Sequence, residues 1–375
     1  MISMKKVYCD ISATTPIDID VIDLMNDINT NIYGNPSSVH KYGQKSHVII
    51  EKARIQIANS LNCHQEEIIF TGCGTESNNI AIKGILKSNS HIISSSYEHP
   101  AVVNILKQLK HKGHDITLLK PEKDGKINPS SIKKAITKKT KLITIMFSNN
   151  ELGSLNDIHE ISNIANKNNI PLHVDAVQCV GKIPIDLQKL KVDLLSISAH
   201  KFYGPKGVGA LFIRKGIELK PILDGGGQEL NLRPGTENIS GIAGMGLAIS
   251  KACEKIDEKI AYIKSLEERF IEKLNENNID FIIHIKDRLP GLLAIGFPNI
   301  DGQSLLIALD LKGIAVSFGS ACSSGTTKAS QILLDANIDE NLAKSTLRIS
   351  FGKIHSFDDI DYVAKQLSEI IKRIK

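Results

Sequence analysis

The sequence predicts an α/β protein built on a mixed, mostly parallel sheet, with a smaller α+β module behind it. Three observations carry this expectation. Short apolar runs alternate with amphipathic, helix-length stretches over the first 215 residues, the pattern of βαβ units whose sheet is covered on both faces. One link between two apolar runs is too short to cross over the sheet. After the triple glycine at 225–227 the texture changes to a long helical stretch and then to short strands again.

Taken in order, strands are expected at 68–70, 91–94, 116–119, 142–146, 170–174, 192–197 and 209–213. Each is short, apolar and rich in β-branched residues. Helices are expected at 45–60, 76–87, 100–111 and 157–168, where apolar positions recur with helical spacing. Residues 198–207 (Ser-Ala-His-Lys-Phe-Tyr-Gly-Pro-Lys-Gly) fall short of the dozen or so that a right-handed crossover takes. The strands on either side should be antiparallel neighbours or not paired at all. A mixed sheet weighs against a plain dinucleotide-binding fold, and no G-x-G-x-x-G follows the first strand. A helix over about 240–276 should lead to an α+β module at about 280–375.

Composition narrows the function classes. A length of 375 residues suggests two or three domains and a large core without disulfide staples. Lys plus Arg outnumber Asp plus Glu by 46 to 41, and aromatics are 5% with no Trp. That balance does not mark a nucleic-acid binder. Six cysteines stand at 9, 63, 73, 179, 253 and 322 with no C-x-x-C spacing, so zinc ribbons and thioredoxin-type pairs are excluded. Only Val7, Tyr8 and Cys9 separate Lys6 from Asp10, too few for a signal-peptide core, and no apolar run reaches membrane-span length. A cytoplasmic protein with reduced thiols is the expectation.

Several strand ends carry candidate chemistry. The turn Gly72-Cys73-Gly74-Thr75 enters a helix, and its N–H groups with the Thr75 hydroxyl suit a phosphate. It equally suits an ordinary turn with Thr75 as N-cap. Asp175 ends an apolar run and is placed to hold a cationic ring nitrogen, although capping the following helix is the simpler role for it alone. Lys201 follows another strand, where desolvation makes a lysine a Schiff-base nucleophile; a lone Lys is more often solvated. Ligands gather at such strand ends, so the three groups can meet in one crevice. Phosphate turn, carboxylate and lysine together describe a pyridoxal-phosphate site.

His99, in Glu98-His99-Pro100, is placed at the same rim for stacking and proton transfer. His47, His64, His111, His114, His159, His284 and His355 read as surface residues. Arg348 offers a fork for a substrate carboxylate, or forms a structural ion pair. Small residues surround Cys322 in Gly319-Ser320-Ala321-Cys322-Ser323-Ser324-Gly325, which suits an accessible nucleophilic thiol; the other five cysteines read as packing residues.

These segments, with Thr14-Thr15-Pro16, Asn35-Pro36-Ser37-Ser38, Asn149-Asn150-Glu151, His173-Val174-Asp175-Ala176 and Arg233-Pro234-Gly235-Thr236, resemble the cysteine desulfurases of the class V aminotransferase family over essentially the whole chain. That group serves nitrogenase-type and housekeeping iron–sulfur assembly. The resemblance implies the pyridoxal-phosphate-dependent transferase fold type I, with a seven-stranded mixed, mostly parallel sheet. It implies a large cofactor-binding domain at 15–255 and a small domain from 1–14 and 256–375 that carries the Cys322 loop.

It also implies roles. Lys201 carries the cofactor as a Schiff base, Asp175 pairs with its ring nitrogen, Gln178 bonds its phenolate oxygen, and His99 stacks and moves protons. Gly74, Thr75, Ser198 and His200 bind the phosphate, with Thr236 supplied by the other subunit of a homodimer. Asn150 and Arg348 bind the carboxylate of L-cysteine. Cys322 takes the sulfur as a persulfide and alanine leaves. No resident metal is implied; Cys322 is at most a transient iron–sulfur ligand. The implied partner is a sulfur acceptor, an iron–sulfur scaffold or a tRNA thiolation enzyme, with no direct nucleic-acid or membrane contact. The phosphate turn departs from the usual Ser-Gly-Ala before the threonine. The alternatives are a selenocysteine lyase or related pyridoxal-phosphate β-lyase, and a non-catalytic sulfur-transfer partner.

Overall fold

The computed structural model describes residues 5–318 and 329–374. The chain opens with strand β1 (Val7–Tyr8), then helices α1 (Ile19–Asn31) and α2 (Lys41–Leu61). The main sheet follows: β2 (Ile68–Thr71), β3 (His91–Ser95), β4 (Asp115–Leu119), β5 (Thr140–Met146), β6 (Leu172–Asp175), β7 (Leu194–Ser198) and β8 (Gly209–Ile213). Helices α3 (Gly74–Ile85), α4 (Pro100–His111), α5 (Pro129–Ala135) and α6 (Ile158–Lys167) connect its strands.

Its strand order is β2-β8-β7-β6-β5-β3-β4. The pairs β7–β6, β6–β5, β5–β3 and β3–β4 are parallel. β8 runs antiparallel to both β7 and β2, so the other six strands point the same way. The short link at 198–207 therefore joins antiparallel neighbours, with Ser198 opposite Gly209. Strands β2, β3, β6 and β7 are buried along their whole length, as expected for a sheet with both faces covered. All seven expected strands are present.

The expected helix at 240–276 is two helices, α7 (Ile239–Cys253) and α8 (Ile256–Glu276). Glu254 is extended and Lys255 is left-handed at φ 49°. The two halves have different neighbours, which is why periodicity ran through a break. α7 packs on α1 and α2, closely enough that a Cβ on Gly246 would lie 2.7 Å from Ala53 Cα. α8 packs on α12 (Phe357–Ile374). Lys259 Nζ donates to the Glu254 carbonyl at 2.5 Å and to that of Lys251, which satisfies the open end of α7.

Between α8 and α12 lie β9 (Ile282–Ile283), β10 (Leu292–Gly296), α9 (Gly302–Asp310), β11 (Ile314–Ala315), α10 (Gln331–Asp335), α11 (Glu340–Lys344) and β12 (Thr346–Ser350). β12, β10 and β9 form an antiparallel sheet, and β1 pairs in parallel with β11. Phe270, Phe297, Leu347 and Ile360 belong to a core separate from that of the main sheet, and Val7 and Cys9 join it. Residues 10–15 then cross to the main sheet, where Thr15 Oγ1 donates to the His200 carbonyl at 2.9 Å.

Candidate active site

At the C-terminal ends of β2, β3, β5, β6 and β7 the structure holds a cavity of about 270 Å³. Gly74, Thr75, Asn78, His99, Asn150, Asp175, Gln178, Ser198, His200 and Lys201 all line it. Nine of these are residues singled out from the sequence. Asn78 is the one that sequence reasoning left without a role.

Lys201 closes a single 3-10 turn after β7. Its Nζ donates to the carbonyls of Ser12 at 2.6 Å and Ala13 at 2.8 Å. Burial, reinforced by the Arg348 charge, pulls its ammonium down to about 8, against the opposing pull of Asp175 and Asp10. An amine near neutrality at physiological pH is a usable nucleophile and base.

Asp175 is the last residue of β6 and is buried. Its carboxylate accepts from Asn78 Nδ2 at 2.8 Å and from the Val177 amide at 3.0 Å. The second bond is the turn-capping role, and the first ties the carboxylate across to α3. Gln178 Nε2 donates to the Ser12 carbonyl at 2.9 Å, and its Oε1 accepts from Lys182 Nζ at 3.1 Å.

Cys73, not Thr75, is the N-cap of α3, and it makes no side-chain cap bond. Thr75 lies inside the first turn and is exposed. The first-turn N–H groups of α3 thus open at the cavity wall, where a helix favours an anion. A Cβ on Gly74 would lie 2.8 Å from Val177 Cγ2, so this cradle has room only for glycine.

His99 caps α4, accepting from the Ala101 amide at Nδ1 across 3.1 Å, which leaves Nε2 for the cavity. Burial lowers its pKa, Asp175 opposes and Lys201 adds to the lowering. His200 Nδ1 pairs with Thr14 Oγ1 at 3.1 Å, and burial takes its imidazole down to about 4. Beside His99, Glu98 accepts from Ser95 Oγ at 2.5 Å and the Met146 amide at 2.9 Å, and burial raises its carboxyl to about 8.

Arg348, in β12, reaches the same region from the second core. Its guanidinium donates to the Asn150 carbonyl at 2.9 Å, the Asp10 carboxylate at 2.7 Å and Ser317 Oγ at 3.0 Å. The Asp10 pair is the structural alternative for this arginine. Thr236 is exposed and does not line the cavity. Cys322 lies outside the described residues. Cys73 lines the cavity, whereas Cys9 and Cys179 are fully buried with thiols pushed up by burial. Burial also raises Cys63, to about 12, and Cys253.

Three histidines depart from the surface placement expected for them, His114 being half-buried with its Nδ1 out of solvent. His355 is buried, its ring bonding the Gly352 amide at 3.0 Å and the Tyr8 carbonyl at 3.0 Å. His284 is half-buried on Thr346 Oγ1 at 2.8 Å, and burial lowers it to about 4. His355 and His284 serve the second core, whose strand pairing the sequence pattern did not show.

Asn78 Oδ1 and Asn150 Oδ1 are buried without a hydrogen-bond partner among the described residues, and both residues face the cavity. Unmet polar atoms, a depressed lysine, a buried carboxylate and a helix N-terminus fit a phosphorylated, cationic-ring aldehyde such as pyridoxal phosphate. Among the described residues no cluster of three metal-ligating side chains occurs, and no helix is long and apolar enough to cross a membrane.

Comparison with known proteins agrees with this geometry. The Aminotransferase class-V family model matches residues 7–363. The chain is 43% identical to a cysteine desulfurase IscS of Dictyoglomus turgidum, covering 99% of this chain and 96% of that protein. It is 42% identical to a cysteine desulfurase IscS of Methanosarcina thermophila, with 99% and 93% covered. Among solved structures, a NifS-like protein superposes at a TM-score of 0.92 with 36% identity, over 98% of this chain and all (100%) of that one. SspA in complex with cysteine superposes at 0.82 with 34% identity, over 92% and 98%. The fold is the pyridoxal-phosphate-dependent transferase fold type I that the motifs implied, and the chain belongs to the class-V aminotransferase family, among its cysteine desulfurases.

Proposed function

We propose that this chain uses pyridoxal phosphate to take sulfur from L-cysteine, releasing L-alanine and leaving the sulfur on Cys322 as a persulfide. The observation that carries the reading is the convergence of Lys201, Asp175 and the Gly74-led start of α3 on one cavity. When bound, pyridoxal phosphate supplies a sink for the electron pair left on the substrate carbon.

The chain's own residues do the rest. Lys201 Nζ attaches the cofactor and, as a free amine, takes the substrate Cα proton. Asp175 holds a proton on the ring nitrogen, and Asn78 holds Asp175. Gln178 donates to the ring oxygen. Gly74, Thr75, Ser198 and His200 receive the phosphate. His99 stacks on the ring and moves protons at Nε2. Asn150 and Arg348 orient the substrate carboxylate. Cys322 Sγ forms the S–S bond as the substrate C–S bond breaks, and the carbon skeleton takes up a proton to become alanine.

Thr236 is exposed, and Leu230, Tyr33 and Val39 are exposed at 65%, 72% and 90%. These support a homodimer in which Thr236 completes the partner's phosphate site. The core that gathers Val7 and Cys9 with Phe270 and Ile360, and the left-handed Lys255, support a large domain at 15–255 and a small one from 1–14 and 256–375, with Ile285 and Leu289 of the small domain packing into the main core. A sulfur-acceptor protein, an iron–sulfur scaffold or tRNA thiolation enzyme, is the natural consumer of a persulfide, and the cytoplasm its natural setting.

The test is direct. Protein loaded with pyridoxal phosphate should show a visible absorbance band, and with L-cysteine and a reductant should yield sulfide and alanine in equal amounts. Lys201→Ala should lose both band and turnover. Cys322→Ser should keep the band and lose sulfide release. Turnover retained by Lys201→Ala overturns the reading.

A further inference from the structure

Gln178 is pinned from two sides. Its Nε2 donates to the Ser12 carbonyl at 2.9 Å, and its Oε1 accepts from Lys182 Nζ at 3.1 Å. A glutamine amide has nearly the same shape either way round, so only its partners decide which end faces where. The Ser12 carbonyl can only accept. It also accepts from Lys201 Nζ at 2.6 Å, so its hold on Gln178 is shared.

Lys182 lies four residues after Gln178, in the turn that follows β6. It makes no salt bridge among the described residues, and its one side-chain hydrogen bond there goes to Gln178. It stands behind Lys201, lining a small space of about 40 Å³ with Ile11, Phe202 and Phe351. Burial, and then the Lys201 charge, takes its amine to about 7, yet charged or neutral it keeps N–H groups to donate. Asp18 lines the same space but pairs with Lys251 and Lys353, not with Lys182, and a buried lysine without an ion pair of its own is costly. Packing alone would be served better by an apolar chain.

We infer that Lys182 is a positioning residue that locks the Gln178 amide with its oxygen turned away, so that Gln178 presents an N–H to the cavity. A flipped amide would set oxygen against the Ser12 carbonyl whatever the charge on Lys182, and nitrogen against its ammonium when protonated, losing both bonds at once in that state. Nε2 carries two hydrogens and Ser12 takes one. The second is left for an anionic oxygen in the cavity. The inference rests on the reading that this cavity holds pyridoxal phosphate, whose ring oxygen is such an anion.

The experiment uses the full-length protein with pyridoxal phosphate, and reads the position of the visible band and the cofactor's dissociation constant by equilibrium dialysis. Lys182→Met keeps length and packing but removes the donor. It should shift the band and weaken cofactor binding by about tenfold. Lys182→Arg should stay within about twofold of the wild type, because it still donates. In a Gln178→Ala background, adding Lys182→Met should change binding by less than about twofold, because nothing remains to be pinned. An unchanged band and affinity in Lys182→Met overturns the inference. So does a Lys182→Met effect of full size on top of Gln178→Ala. If Lys182→Met does not fold, Lys182→Leu takes its place, since it likewise fills the space without a donor; an unaltered band and affinity there overturn the inference equally. Wild-type protein that takes up no pyridoxal phosphate would instead overturn the cofactor reading beneath it.

Discussion

Asn78 reaches from α3 to the end of β6, where its Nδ2 donates to the Asp175 carboxylate at 2.8 Å. Asp175 is buried and, among the described residues, has one other donor, the Val177 amide. Hydrogen bonds to a charged group contribute about 1.5–3 kcal/mol. Asn78→Ala should therefore lower stability toward urea by that order and loosen pyridoxal phosphate by about tenfold. Parallel urea titrations and cofactor dialysis check this. An Asn78→Ala protein with wild-type cofactor affinity would show that Asp175 needs no such support.

Gly74 begins α3 directly under Val177, and a Cβ there would meet Val177 Cγ2 at 2.8 Å and Ser198 Cβ at 3.5 Å. Gly74→Ala should push Val177 into the cavity and reduce cofactor uptake. The backbone there needs no glycine for its φ, so the defect is one of space alone. Val177→Ala in the same chain should then restore uptake. Titrating both proteins with pyridoxal phosphate decides it: a double variant as weak as Gly74→Ala places the defect elsewhere.

Lys201 titrates near 8 instead of its ordinary 10.5 because burial and Arg348 disfavour its charge. Its free amine is the form that reacts with an aldehyde. The rate at which cofactor-free protein captures pyridoxal phosphate should climb through pH 7 and level off above about 8. Linkage gives a second sign. Between about 8 and 10.5 the unfolded chain binds the proton that the folded one has shed, so this group adds stability as pH rises through that window and detracts below it. Stopped-flow capture rates across pH 6–10 are the measurement. A rate still climbing at pH 10 would mean an unperturbed lysine.

The strand ends were legible because a buried parallel sheet writes each strand as a short apolar run and sets its chemistry just beyond it. Lys201, Asp175 and Gly74 were found that way. Other features left no local trace. Asn78 lies one helical turn inside α3, where nothing in the pattern says it faces Asp175. The carbonyls of Ser12 and Ala13 carry no side-chain signal, yet both hold Lys201. The break at Lys255 was hidden because α7 and α8 are each helical and no Gly or Pro stands between them. His284 and His355 read as surface because their burial comes from strands distant in sequence.

The Arg54 guanidinium grips Glu229 with two bonds, at 2.8 and 2.9 Å, and Glu229 also accepts from the Phe70 amide at 2.6 Å. The side chains are 12% and 4% exposed. Glu229 begins a run of three left-handed residues, with Leu230 and Asn231 at φ 59° and 63°, a conformation that costs about 1–2 kcal/mol for a residue with a Cβ. The buried pair and the Phe70 amide anchor the start of that run. Glu229→Ala leaves Arg54 with Glu51 and the Ile68 carbonyl, and leaves the Phe70 amide unmet. Removing one partner of a buried pair costs about 3–5 kcal/mol, so the urea midpoint should fall sharply. Freed of its anchor, the run should relax and withdraw Leu230, and the proposed homodimer should weaken as well. Sedimentation of Glu229→Ala at low urea, beside the gentler Glu229→Gln, reads both effects. A stable, undiminished dimer in both variants would separate the strained run from subunit association.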